Sequence, residues 1–237
     1  NLFQLQTLST DGAPEIRRVE TPTTTPEYTA ANFQVASRIV YGSPIGDFSL
    51  SFYRGFESLP QGSGQARLTG FQTQDRIDVG VPLVYPRIMM VGTDWRGPIF
   101  DSLSGWYEVG VFFPEAHSVT ASASQLEQLV NLGRIDSVPD PVPRQVTQTD
   151  DVYVKAVAGL DYFAGDHVYL NLQYARGMPS ERQRSDIHDY VLLTAALNFL
   201  DGRLRLTASG GLEIDGSHFG WRATGRVAWL HGDAAEL

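Results

Sequence analysis

The chain has 237 residues and no cysteine, and its 18 Lys and Arg against 27 Asp and Glu give a formal charge of −9. An acidic balance argues against nucleic acid as a partner, since phosphate binding needs a basic face. The missing cysteines exclude disulfides and thiolate metal sites. No run of residues approaches the ~18 apolar positions of a membrane helix, which leaves open a membrane barrel, whose strands are apolar only at alternate positions.

The opening Asn1-Leu2-Phe3-Gln4 carries no charged-then-apolar leader, and the chain reads as a partial one. Residues 1–32 are polar and rich in Thr and Pro, as in Thr21-Pro22-Thr23-Thr24-Thr25-Pro26, and are expected to form an extended loop or N-terminal extension. From Phe33 to Leu237 the dominant period is two, the signature of strands. Phe33, Val35, Ile39 and Tyr41 alternate with Gln34 and Arg38, turn at Ser43-Pro44-Ile45-Gly46, and return as Phe48, Leu50, Phe52 and Phe56 against Asp47, Ser49 and Ser51. A second pair runs from about Arg87 to Arg96 and from Trp106 to Phe113, where Tyr107, Val109, Val111 and Phe113 oppose Glu108 and Gly110. The run Ile88-Met89-Met90-Val91 is continuous and fixes no face.

The clearest hairpin joins Val152–Tyr162 to His167–Arg176 through Ala164-Gly165-Asp166. Val168, Leu170, Leu172 and Tyr174 fall on one face, and His167, Tyr169, Asn171 and Gln173 on the other. Next, Val191, Leu193, Ala195, Leu197 and Phe199 alternate against Tyr190, Thr194 and Asn198, with a turn at Asp201-Gly202. Leu204, Leu206, Ala208 and Leu212 then oppose Arg203, Arg205, Thr207 and Ser209. A last strand sets Phe219, Trp221, Ala223, Val227 and Trp229 against Arg222, Thr224 and Arg226, before a turn at His231-Gly232-Asp233.

Connections after the first strand of each pair are short, and those after the second are long: Glu57–Tyr85, Pro114–Asp150 and Gly177–Ile187. That asymmetry predicts an antiparallel up-and-down transmembrane β-barrel with short periplasmic turns and long extracellular loops. Within the longest loop, Ala121–Leu132 has the makings of a short helix folded against the rim or into the lumen. Tyr41, Phe56, Trp95, Phe113, Tyr162, Phe163, Tyr174, Phe199, Phe219 and Trp229 gather near strand ends, as interfacial girdles do.

Tyr153–Tyr162, Val168–Gly177, and Tyr85-Pro86-Arg87 with Val91-Gly92 and Asp94 resemble large porin-like outer-membrane barrels of Gram-negative bacteria, over roughly Phe33 to Leu237. The resemblance implies residence in the bacterial outer membrane, with membrane lipid and lipopolysaccharide as partners and another envelope protein as a further candidate. Such barrels end on an aromatic residue and have even strand counts. Here about nine strands precede Ala235-Glu236-Leu237, so strands are expected to be missing at one or both ends and the barrel to be incomplete in this chain.

The candidate functional residues are charges on the polar faces: Arg38, Arg96, Glu108, Lys155, Asp161, Arg205, Arg222 and Arg226, with Asp47, Asp94 and Arg203 nearby in the pattern. Lining a water-filled lumen, they set a field that selects solutes; paired across strands, they plug it. Of His117, His167, His188, His218 and His231, only the Asp186-Ile187-His188-Asp189 grouping suggests acid–base chemistry, and solvated clusters of this kind are common. Asp136, Asp140, Asp150 and Asp151 offer loop carboxylates to divalent cations bridging lipopolysaccharide, or simply solvate the loops. Gly62-Ser63-Gly64 lacks the lysine of a phosphate loop. The expected function is passive diffusion of small solutes, with no catalysis, no metal and no cofactor. The competing readings are a plugged barrel that docks another envelope protein, a hydrolase acting at the rim, and a soluble β-sandwich or lipocalin-like binder.

Overall fold

The computed structural model describes residues 15–69, 76–133, 135–216 and 218–229. The expected turn at His231–Asp233 and the first fourteen residues of the polar N-terminal segment lie outside them. In chain order the strands are β1 (Glu15–Glu20), β2 (Thr23–Thr24), β3 (Val35–Ser43), β4 (Gly46–Phe56), β5 (Gln61–Gly62), β6 (Gly64–Gln65), β7 (Arg67–Thr69), β8 (Arg76–Gly80) and β9 (Leu83–Val84). There follow β10 (Arg87–Phe100), β11 (Leu103–Pro114), β12 (His117–Thr120), the helix α1 (Ala123–Asn131) and β13 (Arg144–Gln148). The chain continues through β14 (Tyr153–Ala164), β15 (Val168–Arg176), β16 (Asp189–Phe199), β17 (Leu204–Asp215) and β18 (His218–Trp229). No described helix is long and apolar enough to cross a membrane.

The chain divides into two compact units. The larger, from 35–53, 89–113 and 151–237, is built on a nine-stranded antiparallel meander in the order β18-β17-β16-β15-β14-β11-β10-β4-β3. Every expected hairpin is present, because the strands alternate, the run Ile88–Val91 of β10 apart, and glycine is at hand in the turns that need it. Gly165 and Gly202 take positive φ (58° and 83°), conformations that cost glycine little. The expected two-residue turn at Asp201-Gly202 is longer, since Leu200 and Asp201 also take positive φ (53° and 54°). The tight turns at 44–45, 101–102, 165–167 and 200–203 share one end of the sheet. The long connections leave from the other end, joined there by one short turn after Asp215. Among the described residues β3 and β18 are edges and the sheet does not close.

The smaller unit, from 1–34, 54–88 and 114–150, corrects the expected organisation. The polar N-terminal segment is not an isolated extension, since β1 pairs in parallel with β8 and β2 with β9. Nor are 57–85 and 114–150 plain loops: they carry three small sheets and α1 around Ala66, Leu68, Val79, Val81, Val119, Leu126 and Leu129. The expected barrel domain of 33–237 is therefore interrupted twice by chain that belongs to a second core. The helix expected over 121–132 forms as α1 and places Leu126 and Leu129 in that core. Gln125 ties it to β7, its side chain bonding both the Leu68 amide and the Leu68 carbonyl at 3.0 Å.

In the larger unit the apolar face is the exposed one. Leu170 and Leu172 are 38% and 46% exposed while Asn171 between them is 6% exposed. On β16, Leu193 and Leu197 are 51% and 37% exposed while Ala196 is 1% exposed. A soluble sheet has the opposite arrangement, with its apolar side against a core.

One position shows how tightly the polar face is packed. Gly159 pairs with Trp106, and a Cβ at Gly159 would lie 2.5 Å from the Trp106 ring. Gly159→Val should therefore cost about 1–3 kcal/mol by overpacking, seen as a lower midpoint of reversible unfolding. Gly225→Ala, whose added Cβ meets nothing within 4 Å, should leave the midpoint unchanged. Equal shifts for the two would contradict the Trp106–Gly159 register.

Candidate functional site

The polar face is assembled row by row by the strand register. Residues directly opposite one another in an antiparallel pair share a face, so Ser104, Asp161, Asn171, Thr194, Ser209 and Thr224 form one line across β11, β14, β15, β16, β17 and β18. Asp161 accepts from the Tyr169 hydroxyl at 2.6 Å and from Asn171 Nδ2 at 2.8 Å, and Gln173 Nε2 donates to Asn171 Oδ1 at 2.7 Å. Thr194 and Ser209 hydroxyls meet at 3.1 Å. A buried Asn171 is tolerable because its amide is satisfied in this way.

The predicted charged residues fall into three groups. Arg38 is held: its guanidinium donates to both Asp94 oxygens at 2.9 Å and to Ser49 Oγ at 2.9 Å, and the Ser49 hydroxyl also donates to Asp94. Arg38, Asp94, Arg96, Trp106, Glu108 and Asp161 line a cavity of about 400 Å³. A neighbouring cavity of about 410 Å³ also has Asp94 and Glu108 in its wall and adds Lys155. Lys155 is engaged rather than pointing its charge into open space: Nζ donates to the Met178 carbonyl at 2.7 Å and lies 5.8 Å from the centres of the Phe112 and Tyr153 rings.

The third group is the arginine ladder. Arg205 pairs with Asn198 and Ala228, Arg226 with Thr207 and Arg222 with Gly211, so all three share the polar face as expected. Among the described residues none of the three makes a hydrogen bond or ion pair, and neither Glu108 nor Asp161 neutralises them. Arg203 lies in the turn before β17 and is exposed.

At the loop end, residues 177–188 fold onto the same face. Glu181 Oε2 accepts from the Met178 amide at 2.9 Å and the His188 amide at 3.2 Å, and Glu181 Oε1 accepts from the Tyr190 hydroxyl. His188 Nδ1 lies 2.9 Å from Glu213 Oε1, and its Nε2 lies 3.8 Å from Asp215. The Asp-x-His-Asp grouping in the sequence is thus not the contact that forms. Asp189 faces the opposite side, accepting from the Tyr174 hydroxyl at 2.7 Å and Arg176 at 3.0 Å, while Asp186 accepts from Ser185. Among the described residues no serine or threonine hydroxyl is bonded to His188. His117 belongs to the smaller unit, with Nδ1 3.0 Å from Ser63 Oγ, and His167 and His218 are exposed. Among the described residues no group of three or more His, Asp or Glu side chains is placed to hold a metal ion, the loop aspartates included.

No family model, curated protein or solved structure matches the chain. No comparison bears on the porin-like resemblance, and the functional reading rests on the geometry of this face. Sequence reasoning missed Glu181, Glu213 and Met178. Glu213 had a signal, since it shares the parity of Arg205; Glu181 and Met178 had none, because a loop has no period.

The rim cluster makes the segment pH-sensitive. The hydrogen bond to Glu213 raises His188 above the ordinary imidazole value, against partial desolvation, and the Asp215 and Glu181 carboxylates add to it. Burial works against Glu181, yet the Tyr190 hydroxyl and the Met178 and His188 amides together hold its carboxyl below the ordinary range. The His188 contribution is complete below its ordinary value of roughly 6.5 and is lost as pH rises through the raised one. The Glu181 contribution is complete above roughly 4.3 and is lost as pH falls through the lowered value. Segment 177–188 is accordingly held most firmly between those two ordinary values. Its amide-exchange protection, corrected for intrinsic rate, should fall as pH rises from about 6 to about 9, and His188→Gln should flatten that dependence. Protection that holds or grows over this range would contradict the His188–Glu213 contact.

Proposed function

We propose that the chain forms the wall of a porin-like barrel in the outer membrane of Gram-negative bacteria, along whose polar face small solutes diffuse passively, without covalent catalysis. The observation that carries this reading is the inverted polarity of the nine-stranded sheet: leucines exposed on one side, and a hydrogen-bonded line of Asp, Asn, Thr and Ser on the other. Facing lipid, the first side needs no protein cover, and the second can be wetted. The rival soluble sandwich or lipocalin-like binder buries its leucines instead. Strand lengths agree. The nine strands run from 9 to 14 residues, and about 9–11 tilted residues cross a bilayer core. Exposed Tyr41, Tyr162, Phe199 and Trp229 lie toward the turn end, and Tyr174, Phe219 and Trp221 toward the other, as two interfacial girdles would. Trp95 supports the turn-end group by donating to the Ile45 carbonyl at 3.2 Å beside Phe48 and Tyr107. In a membrane both edges, β3 and β18, must be paired, because unsatisfied backbone groups in hydrocarbon cost several kcal/mol each. Lipid and lipopolysaccharide are then the partners of the apolar side.

The second reading, a docking barrel for another envelope protein, draws on one observation. The residues expected as long loops form a unit with its own core, and a folded module offers a surface that a solvated loop does not.

Three measurements test the primary reading. Spin labels at Leu170 and Leu172 should be accessible to apolar oxygen, and labels at Asn171 and Gln173 to a polar relaxation agent; Leu170→Arg should destabilise by roughly 2–4 kcal/mol. Equal accessibility of the two sets removes the membrane reading. In planar bilayers, Arg222→Gln combined with Arg226→Gln should move the reversal potential toward cation preference, most at low ionic strength, where a fixed charge is least screened. A folded barrel with no conductance favours the docking reading, and conductance with unchanged selectivity removes the ladder from the pathway.

A further inference from the structure

The polar face is not uniformly polar. Val157, Ala175 and Leu192 share the parity of Glu108, Asn171 and Thr194, yet they are apolar. They are not scattered: together with Met90 and Phe112 they line the cavity of about 410 Å³. Gly177, Met178 and Pro179 close over it from the loop, fixed by the Lys155–Met178 hydrogen bond at 2.7 Å and by the Glu181 carboxylate on the Met178 amide. An apolar pocket of a few hundred Å³ with a small number of polar groups is the usual form of a small-molecule site.

Its charges decide what that molecule is. Asp94 is paired with Arg38, while the Lys155 ammonium keeps its charge but is held toward the Met178 carbonyl and the rings of Phe112 and Tyr153. Glu108 makes no hydrogen bond or ion pair among the described residues. It is a carboxylate at the wall of a largely apolar cavity with an aromatic ring and two methionines close by. Arg96, which makes no hydrogen bond or ion pair among the described residues, lines the adjoining cavity, whose wall Glu108 shares, and not this one. A cation with an apolar body restores a counter-charge to Glu108 and fills the rest with contacts that thioethers and aromatic rings make well.

We propose that this cavity binds small amphipathic organic cations, with the ammonium on Glu108 and the apolar body among Met90, Phe112, Val157, Leu192 and Met178. The inference rests on the polar face being the wetted side of the barrel and names the solute class that dwells there. It assigns the cavity a separate role from the arginine ladder on β17 and β18, which carries the opposite charge.

The test compares three probes with one body, 3-phenylpropylammonium, 3-phenylpropanol and 3-phenylpropanoate, titrated calorimetrically into the folded chain in a non-ionic detergent. The alcohol corrects for partition into the micelle. The ammonium should bind about tenfold more tightly than the alcohol, the order expected of a hydrogen bond to a charged group, and the carboxylate more weakly than both. Glu108→Gln should abolish the advantage of the ammonium while leaving the alcohol unchanged. Leu192→Trp should weaken all three by filling the cavity; should that variant not fold, Met178→Asp at the roof serves the same purpose. Equal binding of the three probes, tighter binding of the carboxylate, or an unchanged preference in Glu108→Gln overturns the proposal. Conductance measured on the same preparation separates the two readings. The predicted preference without conductance supports the site and removes transport, whereas conductance without the preference overturns the site alone.

Discussion

The two-residue period of a strand sends successive side chains to opposite faces, and the larger unit depends on it throughout. The same alternation that exposes Leu170 and Leu172 buries Asn171 between them, and a shift of one residue would reverse every strand it touched. Because hairpin neighbours are registered one to one from β14 to β18, the choice made on one strand is imposed on the next. The polar row from Ser104 to Thr224 and the common parity of Arg205, Arg222 and Arg226 are consequences of that single rule rather than separate features.

On this frame, the cavities come from departures from strict alternation. Apolar Val157 and Leu192 on the polar side create a pocket, and a glycine at 159 makes room for the Trp106 ring beside it. The loop that follows β15 contributes Met178 to the same pocket and Glu181 to the rim cluster with Tyr190 and His188. Charges that look equivalent along the sequence differ in what is left over after pairing. Arg38 is paired with Asp94 and the Lys155 ammonium is held at the Met178 carbonyl, while Glu108 and the arginine ladder make no ion pair among the described residues.

How much of this was legible follows from the physics of each part. The nine strands, and the faces of all but one of them, were readable because alternation is local: Val168–Tyr174 states its own two sides. The face of β10 was not, since Ile88-Met89-Met90-Val91 is apolar throughout, and only the cavity shows why Met90 belongs on the polar side. The smaller unit was invisible for a different reason. Strands of two to five residues such as Gln61–Gly62 and Leu83–Val84 have no period to read, and they hold together through a core drawn from distant stretches, Val79 and Val81 with Val119 and Leu126. The His188–Glu213 contact spans 25 residues of sequence, and the adjacent Asp186 and Asp189 made a more conspicuous but false pairing.

The odd number of strands in the meander has a directional consequence. With nine strands alternating up and down among the described residues, β3 and β18 run the same way. Joining them directly would therefore make a parallel seam in an otherwise antiparallel wall, with slanted hydrogen bonds and slightly weaker pairing per residue. Repeating the sheet around an axis parallel to its strands does not remove the seam, because each copy would present β18 to its neighbour's β3 in the same sense. Only an odd number of additional strands between the two edges restores antiparallel pairing all the way round.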